Sequence, residues 1–229
     1  MDSSLLLIKG LKRSFVAPDG HRQMIVDVPQ FSLAPQVQQA LSGESGSGKT
    51  TFLNLIAGIL KPDSGSIQLD GADIAMLSES KRDRMRAFKI GYIFQTFNLL
   101  QGYTCLENVI LGMSFGEGED RQFARQLLER VGLAQRLNHY PRQLSTGQQQ
   151  RVAVARALAN KPSLVLADEP TGNLDHKNAR ESLALIREAC RENKAALLLV
   201  SHDRDVLGNF ERVGNFHEMN LAIVPEVIL

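Results

Sequence analysis

The run Gly43-Glu44-Ser45-Gly46-Ser47-Gly48-Lys49-Thr50 restricts this chain more than any other stretch. It has the form G-x-x-x-x-G-K-[ST]. Val37–Ser42 ahead of it reads as a strand, and Thr51–Ala57 after it reads as a helix. The glycines let successive backbone N–H groups turn inward around an anion, and the start of the helix adds its positive end. A Gly/Ser-rich surface loop would account for the letters but not for the strand and helix around them. The setting calls for a nucleoside triphosphate, with Lys49 reaching the β- and γ-phosphates and the Thr50 hydroxyl on Mg²⁺.

Composition removes several other readings. With 229 residues, 43% hydrophobic and 22% charged, the chain can bury the core of one large α/β domain, or of a domain carrying an insertion. A net charge of +1 argues against a nucleic-acid binder that relies on a basic field. Cys105 and Cys190 stand alone, without C-x-x-C spacing, and read as structural thiols in a reducing compartment. Leu5–Ile8 is too short for a signal-peptide core. The longest apolar run, Ala195–Val200, has six residues. The expectation is a chain that does not enter a membrane itself and acts at one only through a partner.

Periodicity gives the outline. Leu5–Ile8, Met24–Val28 and Phe31–Leu33 read as short strands around a Pro18-Asp19-Gly20 turn, and Ser66–Leu69 as a strand ending in an Asp70-Gly71 hairpin turn. Residues 78–88 read as a solvated helix face, and Ile90–Phe94 as a strand closed by Gln95. From about 96 to 160 the pattern is helical, including Arg121–Val131 and Gln148–Asn160. Leu164–Ala167 and 195–200 are fully apolar strands, with a helix over 179–192 between them. Strands alternating with helices predict an α/β fold with a mainly parallel sheet, an N-terminal antiparallel β part and an inserted helical block. The expected division is a core of 1–95 and 160–229 interrupted by a helical subdomain over 96–159.

Chemistry gathers at strand ends. Leu164–Ala167 delivers Asp168, placed to hold Mg²⁺ through water, and Glu169, placed to polarise the water that attacks the γ-phosphate. The strand over 195–200 presents His202 at the same edge as a γ-phosphate contact. Gln95 can reach both the metal shell and the attacking water. Leu144-Ser145-Thr146-Gly147-Gln148 is a polar turn running straight into a helix, which makes a second phosphate site where a simple phosphate-loop enzyme needs one.

That segment resembles the Leu-Ser-Gly-Gly-Gln signature of ABC (ATP-binding cassette) ATPases, and the resemblance runs the length of the chain. The loop at 43–50, Gln95, the turn at 144–148, Asp168-Glu169, Asn173-Leu174-Asp175 and His202 follow the family's order and spacing. It implies a RecA-like P-loop fold and a Walker A loop in which Gly43, Glu44, Ser45, Gly46, Ser47, Gly48, Lys49, Thr50 and Thr51 meet ATP. Thr50, Gln95 and Asp168 would serve Mg²⁺, and Glu169, His202, Gln95 and Lys49 would serve catalysis. Ser145, Thr146, Gly147 and Gln148 would touch ATP held by an opposite subunit, with Asp175 at the seam. Phe15 is the candidate for stacking on adenine, lacking the hydroxyl of the more usual Tyr but keeping the ring face. The resemblance further implies a head-to-tail pair on the cytoplasmic face of a separate membrane permease, met by Phe97, Leu99 and Leu100 unless these pack in the core.

There are departures. Thr146 stands where the signature usually has glycine, Pro35-Gln36-Val37-Gln38 replaces a Gly-Glu turn, and Phe216–Asn220 lacks a common Asp-Gly hairpin. Tyr92–Leu100 and Pro170–Asp175 look like the lipoprotein-release and macrolide-export branch, though Asn98 and Gln101 differ from its lipoprotein members. The rival reading is a soluble cassette of iron–sulfur assembly.

Overall fold

A computed structural model describes residues 4–116 and 118–222. In chain order the elements are β1 (Leu6–Val16), β2 (Arg22–Leu33), β3 (Gln38–Ser42), α1 (Lys49–Ile56), β4 (Ser64–Leu69), β5 (Ala72–Asp73), α2 (Glu79–Lys89) and β6 (Ile90–Ile93). Then come α3 (Cys105–Met113), α4 (Arg121–Arg130), α5 (Thr146–Ala157), β7 (Leu164–Asp168), α6 (His176–Glu192), β8 (Ala196–Ser201), α7 (Arg204–Leu207), β9 (Val213–Asn215) and α8 (Phe216–Met219).

The strands make two sheets. One is antiparallel in the order β2-β1-β4-β5, and the other runs β6-β7-β8-β3-β9 with every observed pairing parallel. The central strands β7 and β8 of the second sheet are buried on both faces, and period-two alternation sends their side chains into different cores. Leu164, Leu166, Ala196, Leu198 and Val200 join α1 and the antiparallel sheet. Val165, Ala167, Leu197 and Leu199 join α3, α4, α5 and α6. Helix α1 is held by Phe52, Leu53, Leu55 and Ile56, all fully buried, each contributing about 1.5–3 kcal/mol of apolar burial. Helix α5 lies directly on β6: a Cβ at Gly91 would sit 2.2 Å from the Ala157 carbonyl oxygen. Both thiols are buried, and burial pushes the Cys190 thiol up to about 12.

The α/β class and its parallel and antiparallel parts are as expected, while several boundaries need correction. The two strands read over Met24–Val28 and Phe31–Leu33 are one, β2, which passes through Pro29. It lies at a sheet edge, and the ladder skips Pro29: Lys9 pairs with Gln30 and Leu11 with Val28, with Gly10 between them at φ 57°. Helices α5 and α6 begin at Thr146 and His176, ahead of the apolar positions that betrayed them, because Ser145 and Asp175 cap them.

The helical pattern read from 96 starts only at α3. Phe97 and Asn98 have φ values of 59° and 50°, which no right-handed helix accepts. Of the three candidate permease contacts, Phe97 (7% exposed) and Leu99 (8%) are in the core, and only Leu100 (43%) is exposed. Strand β9 and helix α8 were not anticipated, being too short for any period to register.

Candidate nucleotide site

Because the second sheet is parallel, β3, β7 and β8 end at one edge. Ser42 pairs with Ser201, and Asp168 with Val200. The phosphate loop, Glu169 and His202 therefore meet at neighbouring strand ends, where open α/β sheets take their ligands.

The loop between β3 and α1 is built to receive an anion. Gly48 is the N-cap of α1 at φ 96°, with no side chain capping the helix and no acidic residue in its first turn. A Cβ there would lie 2.8 Å from the Ile25 carbonyl oxygen, so glycine is demanded by strain and by space together. The Ser47 hydroxyl is buried without a hydrogen-bond partner. An uncapped helix start beside an orphaned hydroxyl fits a bound phosphate. Glu44, Ser45, Gly46 and Thr50 are exposed, and Thr51 lies in the first turn of α1.

Lys49, 6% exposed, folds back on the loop and donates to the carbonyls of Gly43 and Glu44, at 2.7 Å each. Burial lowers its pKa, offset by Glu169, Asp168 and Glu44. Asp168 is raised by burial, with Glu169 adding and the Thr50 hydroxyl bond and Lys49 opposing. A carboxylate beside a hydroxyl is a hard-oxygen pair suited to Mg²⁺, an ion that otherwise keeps waters and substrate phosphates. Among the described residues no cluster of three or more His, Cys, Asp or Glu side chains could hold a metal.

Glu169 stands at φ 43°, a strained conformation of the kind found at functional sites. Its Oε1 accepts from the His202 backbone N–H at 3.1 Å and lies 2.8 Å from His202 Nδ1 and 3.8 Å from Lys49 Nζ. Its Oε2 accepts from the Ser201 hydroxyl at 3.0 Å. Glu169, His202 and Lys49 thus form one network.

Gln95 follows β6, the strand beside β7, and a Cβ at Gly172 would lie 3.2 Å from the Gln95 Nε2 and 3.5 Å from the Glu169 carbonyl oxygen. The Gln95 carbonyl accepts from Asn173 Nδ2 at 2.7 Å, which ties it to the Pro170–Asp175 turn, and no hydrogen bond joins it to Thr50 or Asp168. Asp175 is exposed and caps α6, accepting from the N–H groups of Lys177 and Asn178. Phe15, 38% exposed on β1, carries the Arg13 guanidinium 4.8 Å from its ring centroid.

The turn at 144–148 is self-contained. Ser145 accepts from the Gln148 N–H at 3.3 Å, and the Gln148 side chain accepts from the Ser145 N–H at 3.1 Å, a capping box at the start of α5. Ser145 and Thr146 are exposed, Gly147 and Gln148 half-buried. Among the described residues, no hydrogen bond or ion pair joins this turn to the phosphate loop of its own chain.

Sequence reasoning missed two supports. Asn220 donates to the carbonyls of Ile25 and Ser47 at 2.9 and 3.2 Å and accepts from the Asp27 N–H at 2.7 Å, pinning the loop to β2. Its partners lie so far away in sequence that no local pattern could reveal it. Ser201 was visible only as the neighbour of His202.

The family profile described as ABC transporter matches residues 26–172. The lipoprotein-releasing system ATP-binding protein LolD of Pseudomonas syringae pv. tomato is 41% identical over 93% of this chain and 94% of its own length. LolD of Treponema denticola is 42% identical over 90% and 92%. The ATP-binding cassette MJ0796, solved as a dimer in a post-hydrolysis state with ADP and Pi, superposes with a TM-score of 0.83 at 33% identity, covering 93% of this chain and 95% of that one. A profile spanning the phosphate loop through the Asp168-Glu169 strand, with relatives matched nearly end to end, leaves one conclusion: the chain belongs to the ABC transporter family and is one of its ATP-hydrolysing cassettes.

Proposed function

We propose that this cassette works as a head-to-tail pair, each chain's phosphate loop closing on the Ser145–Gln148 turn of the other, and drives a separate membrane permease of the lipoprotein-releasing type. The observation that carries this reading is the turn itself: exposed, capped by its own residues and unattached to its own chain's loop. The names of the relatives support the branch, and the rival reading as an iron–sulfur assembly cassette gains nothing from them. No helix among the described residues is long and apolar enough to cross a membrane. Attachment to the cytoplasmic face is accordingly assigned to the permease.

In this scheme Lys49 leaves the Gly43 and Glu44 carbonyls for the phosphates, and the N–H groups at the start of α1 take the anion. Thr50 and Asp168 would hold Mg²⁺, which would supply charge neutralisation to the phosphates. Glu169, released from Lys49, orients the attacking water, and His202 holds the carboxylate in place. Gln95 lines the water's side, Phe15 offers its ring to the base, and Asp175 stands at the seam. Ser145, Thr146, Gly147 and Gln148 face the partner's γ-phosphate.

The division into a core of 1–95 and 160–229 with a helical subdomain over 96–159 is part of the proposal; its outermost positions, 1–3 and 223–229, lie outside the described residues. The permease face is placed at a groove of about 470 Å³ between β6, α2 and the helical block, where Ile59, Phe94 and Phe115 meet Arg86 and Arg156. The exposed Leu100 replaces Phe97 and Leu99 as a loop contact.

Glu169→Gln tests the pair. With ATP and Mg²⁺ this variant should elute from a sizing column as a dimer, since binding persists while hydrolysis stalls. A species that stays monomeric at saturating ATP counts against the sandwich. Tagged chain extracted from membranes should bring a permease with it, and recovery of a soluble scaffold instead would overturn the branch.

A further inference from the structure

Between Gln95 and α3 the backbone is held in a conformation it would not choose. Phe97 and Asn98 are consecutive left-handed residues, at φ 59° and 50°. Asn tolerates that region; a bulky aromatic rarely does. Local bonds help little: the Asn98 N–H donates to the Thr96 carbonyl at 2.6 Å, and the Thr96 hydroxyl donates to Asn98 Oδ1 at 2.9 Å.

The stronger hold comes from 58 residues away. Arg156, in the last turn of α5, donates through one guanidinium nitrogen to the Asn98 carbonyl and through the other to the Phe97 carbonyl, both at 2.6 Å. A planar fork satisfying two adjacent carbonyls fixes their direction as well as their position. The rest of the loop is held separately, by Asn108 of α3 bonded to Leu100, Tyr103 and Thr104.

We infer that Arg156 is a positioning residue for ATP hydrolysis: it locks the strained Phe97–Asn98 turn and so sets Gln95, two residues upstream, in register with the helix that begins at Ser145. Helix α5 is a 12-residue rod with Ser145 capping one end and Arg156 in the last turn at the other, a span of about 18 Å. A shift of that rod, caused by whatever Ser145 meets, moves the two carbonyls directly. The Asn173 bond to the Gln95 carbonyl gives the segment its second fixed point. The plain alternative is that Arg156 is only a packing residue between α5 and the loop. The inference rests on the assignment of Gln95 to the hydrolytic site.

The test uses the full chain. Arg156→Lys keeps the charge and most of the stem but cannot bond both carbonyls from one plane. It should lower kcat for ATP about tenfold while leaving KM within about twofold. Amide hydrogen exchange at 97–99 should quicken. Asn98→Gly, which relieves strain at the second left-handed position only and gives up the Thr96 bond to Asn98 Oδ1, should restore part of kcat in the Arg156→Lys background. Gln95→Ala should lower kcat by itself, and adding Arg156→Lys to it should cost little more. Wild-type kcat in Arg156→Lys, or a loss that tracks melting temperature and ignores Asn98→Gly, would overturn the inference in favour of packing. Wild-type kcat in Gln95→Ala would overturn the Gln95 assignment and this inference together, whereas a low value there beside a normal Arg156→Lys would remove only the inference.

Discussion

Two helix starts in this molecule face phosphate in the proposed pair, and they are prepared for it in opposite ways. Helix α1 begins uncapped, with a buried unpartnered hydroxyl at Ser47 and a buried lysine turned onto carbonyls of its own loop. Helix α5 begins fully capped, with Ser145 and Gln148 satisfying each other. The first end is short of partners until an anion arrives. The second is content alone and exchanges an existing bond for a new one. Binding should thus be governed by the phosphate loop, and the capped turn should act as a conditional second contact whose net gain is modest.

The largest effect that can break this comparison comes from separating the two ends. Lys49→Ala and Ser145→Ala chains should each lose ATPase activity, Lys49→Ala by about 10³ and Ser145→Ala by about tenfold or more. When mixed they should recover to about a quarter of wild type, because half the pairs then carry one intact composite site. Absence of recovery in a steady-state assay would mean that the turn serves its own chain or none.

A smaller effect sharpens the contrast in stability. Burial holds the Asp168 carboxyl above its ordinary value of 3.8, so the native state binds the extra proton between that value and the raised one. The charged form therefore costs stability in full above the native pKa, and that cost disappears below 3.8. Asp168→Asn should raise the melting temperature of the nucleotide-free chain by about 2 °C at neutral pH, with the gain fading in acid. Ser145→Ala should lower stability by about 1 kcal/mol through loss of the cap. Thermal scans across pH giving the same sign for both variants would end the contrast.

The smallest effect concerns Thr146, which is exposed in the first turn of α5. Thr146→Gly should change kcat by about twofold or less, since the Ser145 hydroxyl and the helix end do not depend on that side chain. A much larger gain would show that the threonine obstructs the partner's phosphate.

What could be read ahead of the structure follows the range of the interactions. The strand–loop–helix around Lys49 and the apolar run delivering Asp168 and Glu169 are local patterns, and they appear at the expected places. The left-handed turn at Phe97–Asn98 overrode a pattern read as helical, because its geometry is set by Arg156 from another element. Phe97 and Leu99 read equally as surface contacts or core, and only packing of the helical block decides between them. Pro29 split β2 on paper because Pro normally ends a strand, and the edge position that makes it tolerable belongs to the sheet, not to the residue.

Asn220 gives the loop its anchor to β2, yet it follows Ser47 by 173 positions. During synthesis the phosphate loop, α1 and most of both sheets leave the ribosome well before this clamp can form. A nascent chain therefore carries the recognisable motif for much of its elongation without the pinned loop. Long-range closure of this kind is slow to form but late to commit. Nucleotide capture should become available only when nearly all of the described fold is present.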